Sequence, residues 1–303
     1  MEKIIIKDVN KSYGDIKAVN NLSFKIEEGK IYGILGPNGA GKTTTIRMLL
    51  NIIPPDSGEI LIDNKPFEEK MKERIGYLPE ERGLYRKLKV KDTLCFFGEL
   101  KGMKPNEALK SAEEWVDKIG LSEWFDKKIE ELSKGMQQKI QFITSIIHNP
   151  DIIIFDEPFS GLDPLNTEIL LDIMLEMKKK GSTILFSTHI LEHAEKLVDG
   201  VTLIKNGKNV LTGSLEEIRN RYSANLYKIE IEEENDDEKI KKFPYIKEIN
   251  SFGKEFEIEI KKEIEPTKFL KDIVEEGIKI NKFERIQPSL KNIYLKLMKE
   301  EEK

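Results

Sequence analysis

The residues from Gly36 to Thr45 read GPNGAGKTTT and fit the spacing GxxxxGKS/T, with Gly36, Gly41, Lys42 and Thr43 at the required positions. That spacing suits one task, the cradling of a polyphosphate. Glycines let successive backbone N–H groups curl inward on an anion, because no Cβ obstructs the turn. The whole loop, Gly36, Pro37, Asn38, Gly39, Ala40, Gly41, Lys42, Thr43 and Thr44, then leads into a helix whose N-terminus carries partial positive charge. Lys42 would reach the β- and γ-phosphates, and the Thr43 hydroxyl would ligate Mg²⁺.

The flanking sequence supplies the elements such a loop needs. An apolar run from Ile31 to Leu35 reads as a strand before it. Behind it Ile46, Leu49, Leu50 and Ile53 repeat on one helical face before Pro54-Pro55 ends the helix. Residues 1–35 read as antiparallel strands with turns, and Tyr13 lies between two of them in KSYGDIKAV. From about Val90 to Asn149 the period becomes helical. Leu109, Ala112, Val116 and Ile119 share a face, and Ser133 is placed as the N-cap of a helix carrying Met136, Ile140, Ile143 and Ile147. Strands and helices then alternate: a strand at Ile152–Asp156, a helix through Ile169–Met177, a strand at Thr183–Ser187 and a helix at Leu191–Val198. A hairpin turns at Asn206-Gly207, and a helix beginning SLEE, with Ser214 and Glu217 spaced as a capping box, leads out of the domain.

Two carboxylates sit where phosphoryl chemistry could use them. DIIIFDEP (Asp151–Pro158) puts Asp156 at a strand end, able to hold a Mg²⁺ shell, and Glu157 beside it, suited to orienting or deprotonating a water. With LSKGMQQ (Leu132–Gln138), SGLD (Ser160–Asp163) and STHIL around His189, these segments resemble, in this order, the ATP-binding-cassette ATPases, the motor subunits of ABC transporters. The resemblance covers about residues 1–220. It implies an α/β fold, a P-loop NTPase cassette with a RecA-like core, an antiparallel β subdomain and a helical subdomain, and it implies ATP and Mg²⁺ as ligands.

By the same resemblance Tyr13 stacks on adenine, Asp156 belongs to the Mg²⁺ shell, Glu157 is the catalytic base and His189 contacts the γ-phosphate. Asp163 matches the loop that crosses a dimer interface. Ser133 and Gly135 match the signature motif that completes the site of an opposite subunit, so two copies, or one copy and a related ATPase, would close head to tail around two ATP. The capping role of Ser133 agrees, since N–H groups of the turn after it would face an incoming phosphate. Two departures stand out. Lys134 and Met136 alter the usual LSGGQ, and Glu80, in IGYLPEERGLY, stands where many members carry a glutamine that touches Mg²⁺ and contacts the transporter.

LSKGMQQK and LPEERGLY are similar to a subgroup of ABC exporters, of the ABC-2 type, in which ATPase and membrane subunits are separate chains. Sodium ions, antibiotics and other drugs are among the substrates assigned to it. Its members often end in a small accessory domain, and Gln287-Pro288-Ser289-Leu290 with Ile293-Tyr294 resembles that ending. Residues 223–303, beginning near Ser223, accordingly read as a second, α+β unit. Its strands and helices follow in the order βαββαβα if Glu238 to Phe243 is a short helix, compatible with a ferredoxin-like sandwich. The acidic run Glu232–Glu238 reads as a solvated loop or helix start rather than a metal site.

Composition narrows the partners. A net charge of −5 offers no electrostatic case for nucleic acid as principal partner. A single cysteine, Cys95, cannot form an internal disulfide and suits a reducing cytosol. The N-terminal MEKIIIKDVNKSYG has too short an apolar run for a signal peptide, and no apolar stretch approaches the roughly 20 residues that span a bilayer. Work at a membrane would therefore pass through an integral-membrane permease, with no direct bilayer insertion. The resemblance places such a subunit in the cytoplasm, peripheral on the inner face of the cell membrane. The competing reading is a soluble ATPase of the same family acting on ribosomes or DNA. The single phosphate loop and the short interval from Lys42 to Ser133, without sustained heptads, weigh against it. A nucleotide-sensing module without catalysis would be expected to lack the Glu157–His189 pair.

Overall fold

The antiparallel start of the chain builds a small sheet of its own. Strands β1 (Glu2–Tyr13) and β2 (Ile16–Glu27) pair from Glu2 opposite Glu27 to Tyr13 opposite Ile16. After β3 (Ile31–Leu35) and α1 (Lys42–Leu49), strand β4 (Ser57–Ile62) joins the other edge of β1, in the order β2-β1-β4. The alternation that predicts these strands also makes their core, because Ile4, Ile6, Leu22, Phe24 and Ile26 bury one face against Ile46 and Leu49 of α1. The computed structural model describes residues 1–81, 83–222, 225–232, 237–261 and 263–301.

β3 does not belong to that sheet. The expectation of antiparallel pairing through residue 35 fails there, because β3 is buried at all five positions and lies between parallel neighbours. A strand buried on both faces reads as a continuous apolar run, whatever its pairing. The central sheet takes β5 (Ile75–Leu78), β6 (Ile152–Asp156), β7 (Thr183–Thr188), β3, β8 (Gly200–Lys205) and β9 (Lys208–Ser214) in the spatial order β5-β6-β7-β3-β8-β9. All but β9 are parallel.

Between β5 and β6 run the helices α2 (Val90–Leu100), α3 (Pro105–Lys118) and α4 (Lys134–Ile146). Helix α4 is docked by Phe142, whose ring stacks on Phe155 of β6 with centroids 4.5 Å apart. In α3 the buried face is Ala108, Ala112, Trp115 and Val116, with Ile119 at the end. Leu109, expected on that face, is instead 40% exposed. Trp115 lies one turn below Ala112 and its larger apolar surface takes the inward direction, which rotates Leu109 outward. Helices α5 (Pro164–Lys179) and α6 (Leu191–Leu197) follow β6 and β7.

The chain divides into two compact units, Met1–Leu215 and Glu216–Lys303. The division falls within the bounds of α7 (Leu215–Tyr222), whereas the sequence reading puts the boundary after it, at Ser223, which lies outside the described residues. The second unit continues with β10 (Asn225–Ile231), α8 (Asp237–Lys241), β11 (Ile246–Phe252), β12 (Glu255–Ile260), α9 (Pro266–Glu275), β13 (Ile280–Arg285) and α10 (Leu290–Glu301). Its antiparallel sheet, ordered β11-β12-β10-β13, buries Tyr227, Ile229, Phe256 and Ile258 against Ile240, Phe269 and Ile273. That is the arrangement of a ferredoxin-like sandwich. Residues 233–236 of the acidic run lie outside the described residues.

Candidate nucleotide-binding and hydrolysis site

The phosphate loop joins the C-terminal end of β3 to the N-terminus of α1, where ligands of open α/β sheets bind. Two of its glycines are required by geometry. A Cβ on Gly36 (φ 154°) would stand 2.2 Å from the Ile204 carbonyl oxygen, and one on Gly41 (φ 106°) 2.4 Å from that of Ala18. Both obstacles are backbone atoms, so no rotamer change would relieve either.

Lys42 is buried and doubly engaged. Its Nζ donates to the Gly36 carbonyl at 2.8 Å and the Pro37 carbonyl at 3.2 Å, and it forms an ion pair with Glu157 Oε1 at 3.1 Å. The other oxygen of Glu157, Oε2, lies 3.0 Å from Nδ1 of His189. The parallel register of β6 and β7 brings the two acids near the histidine, since Asp156 pairs with Ser187 and His189 follows two residues later. Lys42, Glu157 and His189 thus form one continuous chain of polar contacts. A phosphate entering the loop would meet the same ammonium that holds the carboxylate.

Asp156 is fully buried, and burial raises its pKa above the usual carboxylate range. The hydrogen bond from Ser187 and the nearby hydroxyl of Thr43 oppose that rise, whereas the charges of Glu80 and Glu157 add to it. Ser187 Oγ donates to Oδ1 at 2.5 Å, while Oδ2 is buried without a hydrogen-bond partner. The exposed Glu80 reaches in from beyond β5, and the Thr43 hydroxyl donates to its Oε2 at 3.4 Å. Among the described residues no three His, Cys, Asp or Glu side chains converge to hold a metal ion by themselves. Thr43, Asp156 and Glu80 offer oxygen donors only, and one of those oxygens is buried and unsatisfied. This fits Mg²⁺, which binds through one or two carboxylates, phosphate oxygens and retained water.

The remaining candidates stand apart in a second set of contacts. Ser133 caps α4, its Oγ accepting the N–H of Met136 at 3.3 Å. Asp163 caps α5, with Oδ1 accepting the Asn166 N–H at 2.8 Å and Oδ2 its side-chain amide at 2.6 Å. The two caps adjoin. A Cβ on Gly135 would lie 3.3 Å from Asn166 Nδ2, and Gln138 Nε2 donates to the Ser160 carbonyl at 3.1 Å. Tyr13 ends β1 rather than lying between strands, half exposed, with Lys11 Nζ 5.8 Å from its ring centroid. Lys11 is anchored to Asp56, 2.7 Å away, and the other Asp56 oxygen accepts the Ser12 N–H at 2.7 Å. Ser187 is the site residue that sequence reading leaves without a role. Its only signal is a hydroxyl at the end of the apolar run Ile184–Phe186.

Comparison with known proteins gives this arrangement a context. The family described as ABC transporter matches residues 19–160, and the family described as ATP-binding protein DrrA1-3-like, C-terminal domain, matches residues 213–298. An uncharacterized ABC transporter ATP-binding protein of Methanocaldococcus jannaschii is 52% identical over 216 residues, 71% of this chain and 79% of the relative. The Nod factor export ATP-binding protein I of Burkholderia lata is 35% identical over 214 residues, 70% of each chain. A solved structure of the ATP-binding subunit of an ABC transporter superposes with a TM-score of 0.67 at 30% identity, covering 73% of this chain and 93% of that one.

Proposed function

Because the chain belongs to the family of ABC transporter ATP-binding proteins, and so is an ATPase and the ATP-binding subunit of a transporter, we propose that it drives export through a separate membrane permease. The carrying observation is the buried pair Lys42–Glu157 at the phosphate loop, with the exposed His189 against the other oxygen of Glu157. The phosphates of ATP compete with Glu157 for Lys42, and the freed carboxylate is then available to take a proton from an attacking water. His189 keeps that carboxylate oriented and faces the γ-phosphate. Thr43, Asp156 and Glu80 would hold Mg²⁺, which when bound would supply charge neutralisation to the transferring phosphate. Tyr13 offers a ring for adenine.

Ser133, Gly135 and Asp163 sit on a surface of their own, which supports a site completed by a second subunit, either another copy or a related ATPase. Closure of two subunits around ATP would pull on the permease, and hydrolysis would reset them. An exposed apolar cluster of Tyr85, Leu88 and Phe96 beside Arg86 and Lys87 supports docking of that permease near Glu80 and the helical subdomain. The ATPase would then be held at the inner face of the cell membrane through its partner. No helix among the described residues is long and apolar enough to cross a membrane.

The test is Glu157→Gln. It is expected to bind ATP, to form a stable dimer with it and to stop turning over; wild-type turnover would refute the assignment of Glu157 as base. Isolation from membranes should recover a permease with the chain. Recovery only with ribosomes would favour the soluble ATPase instead.

A further inference from the structure

One buried hydroxyl is bonded at once to Asp156, which ends β6, and to the backbone of Glu157, which follows it. Ser187 of β7 is fully buried, and its Oγ donates to Asp156 Oδ1 at 2.5 Å while accepting the backbone N–H of Glu157 at 3.0 Å. The direction of these bonds follows from valence. An N–H can only donate, so the Ser187 oxygen is its acceptor, and the single hydroxyl proton goes to the carboxylate. A hydroxyl among apolar strand residues is unfavourable unless it is bonded. Both bonds of this one run to the acid that ends the neighbouring strand and to the residue after it, rather than to a carbonyl of the sheet.

Each bond has a consequence at the site. With Oδ1 engaged, the Asp156 carboxylate is fixed in rotation, and Oδ2, buried and without a hydrogen-bond partner, remains to accept a ligand. Glu157 has φ 50°, a left-handed conformation that a side chain with a Cβ rarely adopts. The bond from its N–H to Ser187 holds it there, and from there its carboxylate reaches Lys42 and His189. We propose that Ser187 is a positioning residue for hydrolysis, aligning the metal-side carboxylate of Asp156 and the water-activating carboxylate of Glu157 through one hydroxyl. This inference rests on the roles given to those two acids above.

The experiment compares Ser187→Ala, Ser187→Thr and Asp156→Asn in the full chain. A fluorescent ATP analogue is titrated in EDTA and then in rising Mg²⁺, and turnover is measured alongside. Loss of a partner that orients a metal ligand costs about 10–100-fold in metal affinity or activity. Ser187→Ala is therefore expected to raise the Mg²⁺ needed for half-saturation, and to lower kcat, by about tenfold or more. Binding in EDTA should stay at the wild-type level, and Ser187→Thr, which keeps the hydroxyl, should recover most of both losses. Wild-type Mg²⁺ dependence and kcat in Ser187→Ala would overturn the inference, as would equal losses with and without Mg²⁺ or a failure of threonine to rescue. If Ser187→Ala does not fold, Ser187→Cys, a weaker donor of similar size, makes the same comparison. Should Asp156→Asn leave the Mg²⁺ dependence unchanged, the reading of the site itself falls, whatever Ser187 does.

Discussion

Replacing Glu157 by glutamine tests the ion pair at the centre of the site before any nucleotide is added. Lys42 and Glu157 approach to 3.1 Å with each side chain only 6% exposed. At an effective dielectric of about 20, two unit charges at that distance attract by about 5 kcal/mol, and their desolvation offsets part of it. Removing one partner of a buried pair costs about 3–5 kcal/mol when the other charge is left uncompensated. Here Lys42 keeps the Gly36 and Pro37 carbonyls, and the glutamine oxygen can still accept from it, so the loss should be nearer ~2–3 kcal/mol. For a unit the size of Met1–Leu215, each kcal/mol moves Tm by about 2–4 °C. Nucleotide-free Glu157→Gln should accordingly melt about 4–12 °C below wild type. ATP in EDTA should then stabilise the variant more than wild type, because its phosphates supply the missing negative charge without displacing a carboxylate. The assay is thermal unfolding of both proteins with and without ATP. Equal nucleotide-free Tm values, or equal ATP shifts, would refute the idea that Glu157 and phosphate compete for Lys42.

Three further outcomes can be measured on the same protein. His148 is pushed down to about 4, chiefly by burial and then by the charge of Lys101; a lowered pKa contributes stability present above about pH 6.5 and lost as pH falls through about 4. Urea unfolding at pH 7 and pH 5 should show about 2 kcal/mol more acid loss in wild type than in His148→Asn, and equal losses would exclude this histidine as a source. Tyr13→Ala should leave stability nearly unchanged, since the ring is half exposed, but weaken ATP by about 1–3 kcal/mol of lost stacking. Tyr13→Phe should keep the affinity, and binding of tripolyphosphate, which has no base, should not distinguish the three proteins. Ser133→Ala removes the cap of α4 and should cost about 0.5–2 kcal/mol in chemical unfolding. It should also abolish most turnover while leaving ATP binding to a single subunit intact; full turnover would detach Ser133 from the site.

Much of this molecule is legible without coordinates because its chemistry is local. A phosphate loop is contiguous, and the residues that shape it lie between a strand and a helix whose periods declare themselves: Ile31–Leu35 before, Ile46 and Leu49 behind. The N-cap Ser133 is likewise a local device, bonded to an N–H three residues on. The alternation of Tyr227, Ile229 and Ile231 with the short helices after it leads directly to the small antiparallel sheet of the second unit. Hydrophobic period specifies which face of an element is buried, though not against what.

Long-range placement is what tertiary structure decided. β3 looks like one more strand of an antiparallel run until its parallel pairing with β7 and β8 is seen, because a fully buried strand has no alternation to reveal its neighbours. Leu109 fits a helical stripe as well as Ala108 does, and only the burial of Trp115 on the Ala108 face decides which faces inward. The pairing of Lys42 with Glu157 and the double bond-making of Ser187 depend on the spatial order of strands far apart in the chain. The sequence by itself determined which chemical groups are present and which local turns present them. Their meeting in one buried site was decided by backbone hydrogen bonds between parallel strands, whose order no local period records.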